Sequence, residues 1–331
     1  MHHQPTTSPR QEAQPLVSFI IPYYDLPVVM LCECIDSILA APLTAAEREI
    51  IVIDDGSATS PMNGLMHYGD DIIYLRQPNQ GLGSARNKGI EVATGQYLQF
   101  VDGDDRLVPD AYAHCLDLLR NHPDADMIVF DFTDGQPAPQ SYTDSAPLSG
   151  TEYLRHHNIH GMACGYIARA KTVSELRFTP GIYHEDEEFT PLLLVRAERI
   201  VRTDARAYHY RRRSGSITTA ADDAATHKRL DDLHGVIQRL HYQADRLGRN
   251  DRLALQRRVA QLTMDYIYQT IRQSRSADVL EQRVSQLRGE GLFPLPARGY
   301  SSKYTWFRLA TLSALGRRLL LLTLPLMKKE R

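Results

Sequence analysis

The sequence predicts an α/β fold: a mostly parallel sheet covered by helices on both faces, followed by a helical C-terminal extension. Three observations predict it. Short apolar runs alternate with helix-period segments over residues 17–132, the pattern of a parallel sheet buried on both faces. Two of those runs stop abruptly in paired aspartates, Asp54-Asp55 and Asp104-Asp105. Charge then divides the chain, with 18 basic against 31 acidic residues over 1–225 and 20 against 9 over 226–331.

Residues 1–15 are polar and proline-rich and read as a flexible lead without the apolar core of a secretory signal. The first strand is expected at 17–22 (V-S-F-I-I-P). A helix over 27–40 places Leu31, Ile35, Ile38 and Leu39 on one face. Further strands are expected at 49–53, 72–75 and 96–101. Between the last two, residues 83–93 carry the small face Ala85, Gly89, Ala93, suited to close helix–sheet packing. A helix at 110–120 and a strand at 127–132 complete the alternation. Residues 148–210 read as α+β: helices at 151–157 and 186–197, a strand at 162–168 and strands near Ile200 and Ala207. Residues 222–290 read as helical, rich in Arg, Gln and Leu.

With 331 residues, 43% hydrophobic and 24% charged, wholesale disorder is excluded. Cys32, Cys34, Cys115 and Cys164 have no second pair or histidine at zinc spacing and read as reduced thiols of a cytoplasmic protein. No run of 18 apolar residues occurs, so a spanning helix is not expected.

In parallel sheets ligands bind beyond the carboxyl ends of the strands, where the aspartate pairs fall. Asp102-x-Asp104-Asp105 has the oxygen donors that Mg²⁺ or Mn²⁺ shares with phosphates, and equally the composition of a helix-capping turn. Asp54-Asp55-Gly56-Ser57 can accept from a base or ribose, or form a turn in which Gly56 supplies positive φ. Arg86, in the glycine-rich start of the 83–93 helix, can meet a phosphate or base, or pair with a nearby aspartate. In His184-Glu185-Asp186-Glu187-Glu188 negative charge suits a helix N-terminus, and one carboxylate can instead act as a base. Helical spacing does not choose, since Glu185 and Asp186 both share a face with Phe189. The segment 208–217 (Y-H-Y-R-R-R-S-G-S-I) can close over a diphosphate or form a solvated basic turn.

Taken in order, V-S-F-I-I-P-Y-Y-D, E-I-I-V-I-D-D-G-S, N-Q-G-L-G-S-A-R-N-K-G-I-E-V-A-T-G-Q-Y-L-Q-F-V-D-G-D-D and F-T-P-G-I-Y-H-E-D-E-E-F resemble the family 2 glycosyltransferases of the GT-A fold. The resemblance runs over about residues 16–218. It implies a catalytic domain over 16–218, with 219–331 as the helical extension, and an inverting, metal-dependent transfer from a UDP-linked nucleotide-sugar donor to a glycan or lipid-linked glycan acceptor in surface polysaccharide assembly. Pro22 and Tyr24 then resemble the wall of the base pocket, Tyr24 being the stacking ring. Asp55, with Asp54, resembles the reader of the base edge, and Arg86 a nucleotide contact. Asp102 lies toward the ribose and Asp104 toward the Mn²⁺ or Mg²⁺ ion. Asp186 matches the general base, and Arg211, Arg213 and Ser216 lie in a segment similar to the loop that covers the diphosphate. Asp25 stands where the family commonly has Asn, and 161–166 (G-M-A-C-G-Y) lacks the aromatic–Lys pair of many relatives.

A nucleotidyltransferase would need a glycine-rich loop directly after the first strand, where Pro22-Tyr23-Tyr24-Asp25 stands. A silent scaffold would break the acidic positions, all of which are intact. Nucleic acid is not an expected partner, because the basic C-terminal helices carry few interleaved aromatics. Residues 304–329 place Trp306, Phe307 and a leucine row among arginines and lysines. That pattern suits a helix lying on the inner face of the cell membrane, or one packed on protein.

Overall fold

The computed structural model describes residues 14–135, 141–212 and 223–326. In chain order the strands are β1 (Val17–Tyr23), β2 (Arg48–Asp54), β3 (Ile73–Arg76), β4 (Tyr97–Phe100), β5 (Arg106–Leu107), β6 (Met127–Thr133), β7 (Tyr166–Arg169) and β8 (Ile200–His209). They form one sheet in the order β3-β2-β1-β4-β7-β6-β8-β5. β3, β2, β1 and β4 are mutually parallel, as are β6 and β8. β7 runs antiparallel between β4 and β6, and β5 antiparallel to β8.

All seven residues of β1 are buried, as a central strand covered on both faces requires. One face is covered by α1 (Val28–Leu39), through Leu31, Cys34, Ile35 and Ile38, and by α4 (Pro109–Asn121). Two single turns, α2 (Met62–Leu65) and α6 (Ala170–Val173), fill connections. The other face receives α3 (Leu82–Val92), α5 (Gly150–His156) and α7 (Glu185–Arg196). Gly89 of α3 sits so close to the Ile20 side chain that a Cβ there would overlap it. The small face of this helix is therefore a packing surface.

The predicted strand at 162–168 begins only at Tyr166, because residues 163–164 form a turn before the chain enters the sheet. The two strands expected near Ile200 and Ala207 are one ten-residue strand.

From Asp223 to Leu326 the chain is mostly helical, with an irregular link between residues 290 and 301. α8 (Asp223–Asp245), α9 (Arg249–Ser274), α10 (Ala277–Gly289), α11 (Ser302–Leu312) and α12 (Ala314–Thr323) share a separate apolar cluster, joined to the sheet body through Ile182 and Leu192. α9 is the spine, touching α5, α7, α8, α10, α11 and α12. Tyr304, Phe307, Leu320 and Leu324 pack inward, and buried Arg317 pairs with Glu281 at 2.6 Å. Trp306, Leu309, Leu312, Leu315, Leu319 and Leu322 face outward. Among the described residues no helix is long and apolar enough to cross a membrane.

Candidate active site

The parallel register brings the carboxyl ends of β1 and β2 together, Tyr23 opposite Asp54, with β4 ending beside them. At the end of β1, Tyr24 is exposed and Pro22 buried. Asp25 adopts a left-handed conformation (φ 46°), which Asn and Asp tolerate better than other side-chain-bearing residues. Its amide donates to Ser57 Oγ at 3.0 Å and its Oδ1 accepts from the Ala58 amide at 2.8 Å. The first two strand-end loops are thus knitted together.

Asp54 is buried and accepts from the Ser57 amide at 2.9 Å and from the Tyr74 hydroxyl at 2.7 Å. Burial works to raise its pKa, but these hydrogen bonds and Arg76 hold it below the usual carboxylate value. Asp55 accepts from Gln77 Nε2 (2.8 Å), the Gln80 amide (3.0 Å) and the Gly81 amide (2.8 Å). Its carboxylate therefore fastens the loop that leads into α3. Gly56 makes the turn possible: its φ is 78°, and a Cβ would lie 2.6 Å from the Asn79 amide nitrogen.

From the first turns of α3, Arg86 reaches into the interior. Its guanidinium donates to Asp102 Oδ1 at 2.8 Å and to Glu185 Oε1 at 2.7 Å. It is almost fully buried, and of the readings left open by the sequence the structure shows the ion pair with an aspartate, extended to a second carboxylate. Burial disfavours its charge, yet Asp102 and Glu185 hold the guanidinium protonated.

In the acidic turn Asp102 remains partly accessible, while Asp105 is 1% exposed. Asp105 accepts from the Tyr208 hydroxyl and from the Arg211 amide, each at 2.7 Å. Burial, with the charges of Asp102 and Asp104, pushes Asp105 up to about 7. Asp105 is thus the anchor that ties residue 211 to the acidic turn, leaving Asp102 and Asp104 toward solvent. The Arg211 side chain pairs with Glu33 of α1. Arg213 and Ser216 lie outside the described residues.

The chain enters α7 through His184, in left-handed conformation at φ 65°. Four acids follow in the first turn, the favourable end of the helix dipole. Glu185 pairs with Arg86, Glu187 with Arg258 and Glu188 with Arg239. Asp186 makes no ion pair among the described residues and accepts the Glu187 amide at 2.8 Å. Burial, then the charges of Glu185 and Glu187, push its pKa well up. The two neighbours therefore differ: Glu185 is paired with Arg86, and Asp186 is the carboxylate with raised proton affinity.

Asp55, Asp102, Glu185 and Asp186 thus belong to one connected rim, joined through Gly81, α3 and Arg86. Sequence reasoning missed Glu185 as the second partner of Arg86 and Tyr208 as the link between Asp105 and the Asp102 amide, which meets the Tyr208 hydroxyl at 3.1 Å. Tyr208 was visible only as one aromatic in a basic run.

Among the described residues no cluster of three or more His, Cys, Asp or Glu is arranged to hold a metal ion. The donor set nevertheless fits a cation that completes its shell with ligand phosphates and water, since such ions take one or two carboxylates from protein, and Asp102 and Asp104 offer two. Cys34 and Cys164 are buried, and burial together with the charges of Asp102 and Asp105 pushes both thiols up.

Residues 18–173 match the family model described as glycosyl transferase family 2. An uncharacterized glycosyltransferase of Rickettsia prowazekii (strain Madrid E) is 40% identical over 116 residues, 35% of this chain and 36% of that protein. The chain covers less than two thirds of the length of the curated relatives it first matches, from 36% to 60%. A crystal structure of S. aureus TarS 1-349 in complex with UDP-GlcNAc superposes with a TM-score of 0.57 at 17% identity, over 96% of this chain and 93% of that one. The mannosyltransferase PcManGT of Pyrobaculum calidifontis, in complex with GDP-Man and Mn²⁺, gives 0.55 at 14% identity, over 94% and 88%. Residues 18–173, a little under half of the chain, thus match the family 2 glycosyl transferase model, and the chain as a whole shares the fold of these two solved glycosyltransferases.

Proposed function

We propose that the protein transfers a sugar from a nucleoside-diphosphate donor to an acceptor hydroxyl in glycan assembly, with inversion at the anomeric carbon, residues 16–218 forming the catalytic unit. The observation that carries this reading is the connected rim Asp55–α3–Arg86–Asp102/Glu185–Asp186. It links Asp55, which fastens the loop into α3, the partly accessible Asp102 and the proton-avid Asp186 at the carboxyl ends of the strands, where ligands of such sheets bind.

In this reading Tyr24 stacks on the base, and Asp55, with Asp54 behind it, fixes the loop that reads the base edge. Asp104 would hold Mn²⁺ or Mg²⁺, which when bound supplies neutralisation of the leaving diphosphate, while Asp102 lies toward the ribose. Arg211, anchored through its amide to Asp105, exchanges Glu33 for a phosphate oxygen, and Arg213 and Ser216 extend that contact. Arg86 stays in the interior and holds Asp102 and α7 in place. Asp186 takes the proton of the attacking hydroxyl, and its raised proton affinity suits that role near neutral pH. Uracil is the base proposed, by likeness to the S. aureus TarS complex with UDP-GlcNAc, and guanine, as in the GDP-Man complex of PcManGT, is the rival.

A thermal-shift screen of nucleotide sugars with and without Mn²⁺ tests this, because a ligand that binds only the native state raises the melting temperature. A UDP-sugar should raise it only, or mainly, with Mn²⁺. A shift confined to GDP-sugars would change the base, and no shift with any nucleotide would overturn the reading.

We further propose that α11 and α12 rest on an anionic lipid surface. Both helices lie on α9 and expose an outward leucine row with Trp306, while Arg298, Lys303 and Arg318 are exposed and no acidic residue occurs between 291 and 329. Flotation with anionic but not neutral vesicles, lost in Leu315→Asp/Leu319→Asp, is the expected result. Unchanged flotation of that variant would remove the proposal.

A further inference from the structure

A cavity of about 440 Å³ lies between β6, α5 and α7 and is closed on one side by residues 157–162. That volume is within the range of small-molecule sites, roughly 300–1,000 Å³. We propose that it is the acceptor subsite and that it receives a neutral, hydroxylated sugar ring. The proposal rests on the glycosyl-transfer reading and adds the class of acceptor to it.

Position comes first. Thr190 lines the cavity and bonds the Tyr166 hydroxyl at 3.2 Å. It lies four residues after Asp186 on α7, hence on the same helix face about one turn along. A ring seated at the Thr190 end of the cavity therefore lies about one helical turn from the carboxylate that takes the proton in the proposed reading.

The lining is the second argument. Phe132 is 39% exposed and meets the His160 ring edge-on at 5.6 Å, which leaves part of its ring open to a ligand. An aromatic face of this kind takes the C–H face of a sugar. Beside it Asp131 and Arg202 pair at 3.1 Å, so the wall carries acceptor and donor groups whose charges cancel. A phosphate or carboxylate would have to break that pair, whereas ring hydroxyls can bond both partners.

Rigidity is the third. The wall is held from outside the sheet body by three buried polar residues of α9. Arg257 donates to Leu154 O at 2.9 Å, to His157 O and to Asn158 Oδ1 at 2.7 Å. Arg258 donates to Ile159 O at 3.1 Å, and Gln261 to Asn158 Oδ1 at 2.7 Å. Arg258 also pairs with Glu187, next to Asp186. One helix of the extension thus fixes both the cavity wall and the start of α7, the preorganisation a subsite requires.

The test uses the full-length protein and ligand-observed NMR titration with p-nitrophenyl glycosides of common hexoses and N-acetylhexosamines, with hexose 1-phosphates as charged comparators. At least one neutral glycoside should bind the wild type, and the hexose phosphates should bind more weakly. Phe132→Ala and Asp131→Asn, both at partly exposed positions, should weaken that binding about tenfold, the scale of one lost aromatic or polar contact. Both should retain the wild-type thermal shift with UDP and Mn²⁺. Absence of glycoside binding, equal binding by both variants, or preference for the phosphates would overturn the subsite. Absence of any nucleotide shift in the wild type would instead overturn the donor reading, while glycoside binding by the cavity stood.

Discussion

Arg86 Nη1 and Glu185 Oε1 meet at 2.7 Å in the interior, although 99 residues separate them. The other arm of the same guanidinium holds Asp102 at 2.8 Å. One planar cation therefore sets the distance between the acidic turn after β4 and the first turn of α7. Removing it leaves Glu185 buried and unpaired, which costs about 3–5 kcal/mol in comparable buried pairs. Urea denaturation should show a loss of that order for Arg86→Met and a partial loss for Arg86→Lys, whose ammonium lacks the fork that serves two carboxylates. Arg86→Met/Glu185→Gln should recover part of the stability. Wild-type stability of the single Arg86→Met variant would contradict this role.

Asp186→Asn should lower kcat by about 10²–10⁴ while leaving the nucleotide thermal shift unchanged, because Asp186 faces the acceptor side in the proposed reading. Glu185→Gln, by contrast, should act mainly on stability, since Glu185 is neutralised by Arg86. Equal loss of donor binding in Asp186→Asn would place this carboxylate on the donor instead.

The pH dependence follows from the same turn. Burial and the charges of Glu185 and Glu187 raise the proton affinity of Asp186. A base works only when ionised, so kcat/KM should fall as pH drops, with its acid limb above the ordinary carboxylate range near ~4. Glu187→Gln removes one of the raising charges and should move that limb to lower pH. An acid limb that stays in place, or moves up, in Glu187→Gln would sever the link to Asp186.

Stability has a separate pH signature in α9. Burial pushes Asp265 up to about 6, with Arg258 opposing and Glu187 adding to the shift. Its folded pKa lies above its unfolded one, so its contribution is complete below about pH 4 and is lost as pH rises through about 6. Asp265→Asn should flatten the fall in unfolding free energy across that window, by at most about 3 kcal/mol. An unchanged slope would show that Asp265 does not titrate there.

The central strands were legible because they are short, mostly apolar runs ended by Pro22, Asp54 and Asp102, and burial on both faces leaves few polar residues, such as Ser18 and Gln99, to blur the pattern. The four acids at the start of α7 were legible as a helix start. Their different surroundings were not, since Phe189 shares a helix face with both Glu185 and Asp186, and the pairing of Glu185 depends on the arrival of Arg86 from a distant helix. β5 escaped notice because two residues carry no periodicity, and it exists only through pairing with Tyr208 and His209. In residues 304–326 the amphipathic period was readable, but a period does not tell which face meets α9. The structure turns Phe307 and Leu320 inward and Trp306 and Leu315 outward.

The central claim is that the acidic turn, through Asp104, makes nucleotide binding depend on a divalent cation. Isothermal titration of UDP into wild type and Asp104→Asn, each with and without Mn²⁺, tests it most directly. The account predicts that Mn²⁺ tightens binding at least about tenfold in the wild type, some 1.4 kcal/mol, and has little effect in the variant. An equal Mn²⁺ effect in both proteins, or none in the wild type, would contradict it.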